Sequence, residues 1–146
     1  MPIESFPFFR AYPADPRKRP WLFIRLRNPD TGQAFSTVGL VDSGADECCL
    51  PACYADFLGH NLAAGAAKRI NTGNGMTTAY SHRSTIDILD TDMLFQGRER
   101  TVYTIEDTLV DFMPNLHCAL LGVGNFLSRF ILTIDYPREV FSIRKP

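Results

Sequence analysis

Asp42-Ser43-Gly44-Ala45-Asp46 is the stretch of this sequence whose residue types and spacing point most directly to chemistry. The apolar run Val38-Gly39-Leu40-Val41 ends in the Asp42 carboxylate, and three small residues follow before a second acid. A strand that delivers a carboxylate to its end and then turns through glycine sets that acid at the floor of a cleft. Gly44 has no Cβ and accepts a positive φ, so backbone can approach closely there. The Ser43 hydroxyl is placed to bond locally and hold the turn. The bland alternative is a surface Asx-turn, because Asp-Ser-Gly is common turn chemistry. On these residues alone both readings stay open.

Other chemistries fail on spacing. A calcium loop starting at Asp42 would need glycine where Glu47 stands and a bidentate acid where Cys53 stands. No phosphate-binding loop follows any apolar run. Gly122-Val123-Gly124 is only part of a dinucleotide fingerprint, with Leu127 at the third glycine position and too little chain beyond it. Cys48, Cys49, Cys53 and Cys118 form no C-x-x-C pair, so they read as reduced, partly buried small hydrophobes. A zinc site from Cys53, Cys118 and His117 has no spacing that would preorganise four ligands, and no metal is expected. Cys118 beside His117 is a poor hydrolase pair, since neighbours on a strand point to opposite faces.

At 146 residues the chain reads as one domain, 1–146, able to bury about 70 % of its unfolded surface. Fifteen basic against sixteen acidic residues leave no global field, which argues against nucleic acid or an anionic membrane as partner. The one basic run, Arg17-Lys18-Arg19 between two prolines, reads as a solvated loop. No apolar run reaches membrane-spanning length, and the first residues lack a signal peptide's pattern, so a cytoplasmic location is expected.

Strand signals dominate the elements that must position Asp42. "PWLFIRLRN" alternates Leu22, Ile24 and Leu26 against Trp21, Phe23, Arg25 and Arg27, and "NPDTGQ" turns it back into "AFSTVGLVD" as a hairpin. "ECCLP" is a short strand, and "ACYADFLGH" is one or two helical turns closed by Gly59. "AKRI" and "TTAYSHRSTIDILD" flank the turn-rich "NTGNG" as a second hairpin. "RERTVYTIED" and "LHCALLG" are further strands, "VGNFLSRF" a candidate short helix, and "FILTIDYPREVFSIR" two strands around a turn. About nine strands with at most two short helices make a mainly-β domain of barrel or sandwich type.

Taken together, "LVDSGAD", then "RINTGNGMTTAYSHRSTIDI", then "LLGVGNFLSRF" resemble the retroviral-type (retropepsin-like) aspartic proteases in order and separation. "FILTIDYPREVFSI" is similar to the strand pair that ends cellular and retrotransposon members, so the resemblance spans Trp21 to Arg144. It implies a mainly-β, closed-barrel acid-protease half with one short helix near the C-terminal end. It also implies an aspartic endopeptidase that uses no cofactor. Asp42 would be catalytic, with Ser43, Gly44 and Ala45 supporting it. Gly44, Asp46 and a flap made of Thr72, Gly73, Asn74, Gly75 and Met76 would bind a polypeptide substrate as an added strand.

One Asp-Ser-Gly occurs per chain, and this chemistry needs two facing carboxylates that share a proton. The resemblance therefore implies a homodimer, with Val140, Phe141 and Ile143 of the last strand expected in its interface. The alternative is a catalytically silent, dimeric peptide-binding module of the same fold. Two departures stand out. Viral members commonly carry Arg where this chain has Val123, which leaves Asp46 without that partner, and residues 1–20 exceed the short viral arm with no assigned role.

Overall fold

The computed structural model describes residues 4–146. Its strands are β1 (Glu4–Pro7), β2 (Trp21–Arg27), β3 (Ala34–Val41), β4 (Cys49–Pro51), β5 (Ala66–Thr72), β6 (Gly75–Leu89), β7 (Thr101–Met113), β8 (Ala119–Leu121), β9 (Ile131–Asp135) and β10 (Val140–Arg144). Two short helices, α1 (Tyr54–Phe57) and α2 (Thr91–Phe95), complete it, with single 3-10 turns at Leu62–Ala64 and Leu127–Arg129.

The expected first hairpin forms with Trp21 opposite Leu40 and Arg27 opposite Ala34. Its alternation is what builds the core: Leu22, Ile24 and Leu26 are fully buried, while Phe23, Arg25 and Arg27 are half-buried. Trp21 departs from the alternation. It is buried under the edge of Tyr12, with ring centroids 5.6 Å apart. The strand order β2-β3-β8-β4-β7-β6 returns to β2 through the β2–β6 pairing, which closes a six-strand barrel. β5 stays outside the barrel and pairs with β6 alone. Closure requires β6 to serve both the barrel and the β5 hairpin, and its pairing with β7 is irregular at Ser84/Ile86 and Ile88/Leu89, where such a strand must bend.

One buried carboxylate braces the outer wall. Asp87 on β6 accepts from Arg27 Nε and Nη2, both at 3.0 Å, from Arg25 Nε at 3.1 Å and from Thr104 Oγ1 at 2.7 Å. A buried acid is tolerable in a strand when its oxygens are satisfied in this way.

The second sheet, β1-β10-β9, gives the N-terminal residues a structural role that the sequence did not announce. β1 lies antiparallel to β10, with Phe6 opposite Phe141 and their rings stacked at 5.2 Å. The loop beyond it is closed by Phe9 and Arg19, which exchange backbone hydrogen bonds of 3.2 and 3.0 Å. Arg17 and Lys18 are exposed as expected of a solvated loop, whereas Arg19 is half-buried and held by Asp15 at 2.6 Å.

This sheet corrects one expectation. β10 is the middle strand, and Phe141 and Ile143 are buried in their own chain's core, so neither is available to a partner; of the three, Val140 alone is exposed. The helix expected over "VGNFLSRF" shrinks to the 3-10 turn at Leu127–Arg129, because Asn125 takes φ +60° and Phe126 φ −131°, neither of them helical.

Candidate active site

Three elements fix Asp42. β3 runs parallel to β8, pairing Gly39 with Ala119 and Val41 with Leu121, and a Cβ at Gly39 would lie 2.9 Å from the Leu121 side chain. The glycine leaves the room that the Leu121 side chain occupies. Directly after β3, the Asp42 N–H donates to the Leu121 carbonyl at 3.0 Å. The turn then folds on itself: Gly44 N–H donates to Asp42 Oδ1 at 3.0 Å and Ala45 N–H to Asp42 O at 3.1 Å.

The loop is next pinned to the chain that follows β8. Val123 N–H donates to Ala45 O at 2.9 Å and Gly124 N–H to Asp46 O at 2.6 Å. The apolar pair and glycines of "LLGVG" thus buttress the Asp42 loop through backbone. Val123 brings no basic side chain to Asp46, and its N–H donates to Ala45 O instead. Asp46 itself is exposed, and its carbonyl is the group the buttress uses.

Asp42 is half-buried, with Ser43 and Gly44 exposed beside it. The Ser43 hydroxyl does not brace the turn as expected; the turn is held by the Asp42 carboxylate and carbonyl instead. Within one chain the acid therefore sits on an open surface between two cavities. One, of about 650 Å³, runs between the Asp42 loop and the β5–β6 hairpin; Asp42, Gly44, Ala45, Asp46 and Thr72 all line it, with Ile70, Met113, Leu116 and Leu120 as its apolar wall. The other, of about 830 Å³, lies between Asp42 and Ser43, the basic loop and the β9–β10 turn.

The hairpin tip is a tight turn with Thr72 opposite Gly75. Thr72 Oγ1 donates to Gly75 O at 2.8 Å and accepts from Asn74 N–H at 3.2 Å. Gly75 takes φ +104°, which a side chain disfavours, whereas Gly73 needs no such conformation. Gly73, Asn74, Gly75 and Met76 are exposed and stand clear of the cavity wall, so of the expected flap residues the structure brings Thr72 alone to it.

Sequence reading missed Lys68 and Asp111, which line this cavity, and Ser81, which bonds Asp111. Asp111 is 2 % exposed, accepts from Ser81 Oγ at 2.8 Å and lies 2.8 Å from Lys68 Nζ. A partial signal was present, since "LVDFM" sets an acid within a short apolar run. The cysteines point away from thiol chemistry. Burial pushes Cys48 up to about 12 and Cys49 up to about 11, and burial with the Asp42 charge raises Cys118. Among the described residues, no three His, Cys, Asp or Glu side chains group so as to hold a metal ion, and no helix is long and apolar enough to cross a membrane.

The architecture has a solved counterpart. The crystal structure of a retropepsin-like aspartic protease from Rickettsia conorii matches 97 % of this chain and 91 % of its own, with a TM-score of 0.60 and 19 % sequence identity. The fold is retropepsin-like. No protein-family model and no curated protein sequence matches the chain, and identity this low speaks for the fold alone.

Proposed function

We propose that the chain is one half of an aspartic endopeptidase that works as a homodimer, with Asp42 of each copy forming the catalytic pair. The observation that carries this reading is the placement of Asp42. It ends a barrel strand, stands on a loop pinned by backbone hydrogen bonds, and lines a cavity whose opposite side is the β5–β6 hairpin. The fold's likeness to a retropepsin-like protease supports it.

A lone carboxylate cannot do the work. In the pair, the ionised member takes a proton from water as the water oxygen attacks the scissile carbonyl carbon. The protonated member donates to the carbonyl oxygen, and the carbon–nitrogen bond breaks with a proton passed to the leaving amine. Two such acids in contact hold one proton between them, because both cannot ionise at that range. Gly44, Asp46 and the hairpin from Thr72 to Met76 would hold the peptide as an added strand.

A partner would also cover the half-exposed Asp42 and keep bulk solvent, beyond the one attacking water, from the site. The surface we assign to it is the open side of the second cavity, flanked by the unpaired edge of β9 and by exposed Ile131, Tyr136 and Val140. Edges and apolar rows of this kind are ready templates for another chain. Sedimentation combined with peptide cleavage over a dilution series tests the reading. Specific activity should fall as dimer gives way to monomer, and a fully active monomer would overturn it.

A further inference from the structure

β5 is held less firmly than any barrel strand, since it pairs with one neighbour and all of its residues are exposed or half-buried. Yet it forms the arm of the hairpin that faces Asp42 across the cavity. Main-chain pairing to β6 fixes the arm within the hairpin but does not tie it to the cleft wall. One side-chain link does. Lys68 stands opposite Ala79, and two residues further along β6, on the same face, Ser81 stands opposite Asp111. The Lys68 stem therefore crosses the sheet over a small residue and ends 2.8 Å from Asp111 Oδ2 on β7. That oxygen has no hydrogen-bond partner apart from this ion pair among the described residues, while Oδ1 is taken by Ser81.

The chemistry favours a tether over a loose surface contact. Asp111 is 2 % exposed, so a departing Lys68 would leave a buried carboxylate without a counter-charge. Burial lowers the Lys68 pKa, but the hydrogen bond and charge of Asp111, with Glu47 and Cys49 adding, outweigh it and leave the lysine raised and cationic. Glu47, which follows the Asp42 loop directly, lines the same cavity as Lys68.

We propose that Lys68 and Asp111 are a positioning pair that holds the β5 arm over the cleft and sets how readily substrate is admitted. The inference rests on reading the β5–β6 hairpin as a flap, and it assigns the pair no part in bond breaking. Hydrogen exchange on the full-length protein tests it without requiring any cleavage. In Lys68→Met, and in Lys68→Met/Asp111→Asn where no orphaned charge remains, amides of Ala66–Met76 should exchange about tenfold faster while β2 and β3 keep their protection. Lys68→Arg keeps the cation and should exchange like the parent. In cleavage assays KM should rise several-fold with kcat little changed, because less of the protein is in the closed, binding-competent form. Unchanged hairpin exchange in both Met variants, or an equal rise throughout the barrel, would overturn the tether. A protein that cleaves nothing yet shows the selective exchange response would instead keep the tether and remove the protease reading.

Discussion

Replacing Gly122 by alanine should destabilise the protein and displace the Asp42 loop, although residue 122 touches no substrate in the proposed mechanism. A Cβ there would lie 2.3 Å from Glu47 O, 2.5 Å from Glu47 C and 2.7 Å from Ala45 O. All three are backbone atoms, so no side-chain rotation relieves the overlap. The segment cannot drift freely either, because Leu127 N–H donates to Gly122 O at 3.0 Å and Val123 N–H to Ala45 O at 2.9 Å. Forcing a methyl into such a site costs about 1–3 kcal/mol. A loss of about 2 kcal/mol moves a urea midpoint by about 1 M when m is about 2 kcal/mol/M. Relief of the overlap has to push residues 45–47 outward, and Asp42 moves with the loop they share. Urea titration, with Gly73→Ala as control, measures the cost; at Gly73 a Cβ meets nothing within 4 Å. A Gly122→Ala midpoint within about 0.2 M of the parent would refute the claim that this glycine is required for the loop to pack.

Gly75→Val should cost about 1–2 kcal/mol through its φ of +104° and slow turnover further, whereas Gly73→Ala should be nearly silent in both respects; equal kinetics for the two would show the tip to be a passive turn. For Asp87, burial raises the carboxyl, but the bonds from Arg27, Thr104 and Arg25 outweigh it and leave the folded pKa below the ordinary value. Its stabilisation is therefore complete above the unfolded carboxylate pKa of about 3.9 and disappears as pH falls through the folded value. Asp87→Asn should lose stability at pH 7 and flatten the acid limb of a urea-midpoint series, and an unchanged acid limb would contradict this. Thiol alkylation should leave peptide cleavage intact, with exposed Cys53 labelled before buried Cys48 and Cys49, as peptide mapping would show; inactivation in step with Cys118 labelling would contradict the carboxylate mechanism.

What was legible in the sequence was whatever periodicity and turn chemistry encode locally. Alternation through Leu22, Ile24 and Leu26 gave β2, and "NPDTGQ" gave the turn where Gly32 takes φ +77°. The Asp42 loop, the glycine-bearing hairpin and the "LLG" run were visible for the same reason. β1 was not, because four residues of "ESFP" become a strand only through pairing with β10 at the far end of the chain, where Glu4 lies opposite Ile143. That pairing also makes β10 an inner strand, which is why Phe141 and Ile143 are core residues and not interface. α2 left a local signal that was passed over: Asp90 caps it by accepting from Met93 N–H at 3.1 Å. The Lys68–Asp111 link joins positions far apart in the chain, and no local pattern specifies the partner of a buried acid.

Asp42→Asn tests the central claim most directly, read as peptide hydrolysis by wild type, by the variant and by mixtures of the two. Asn keeps the shape of the side chain but takes no proton from water. The variant should stay folded and lose at least about 10²–10⁴-fold in turnover. Excess variant subunits should poison the wild type, because mixed dimers hold only one functional acid. An Asp42→Asn protein that keeps more than about a tenth of wild-type turnover, or mixtures whose activity simply tracks the wild-type fraction, would contradict a paired-carboxylate mechanism.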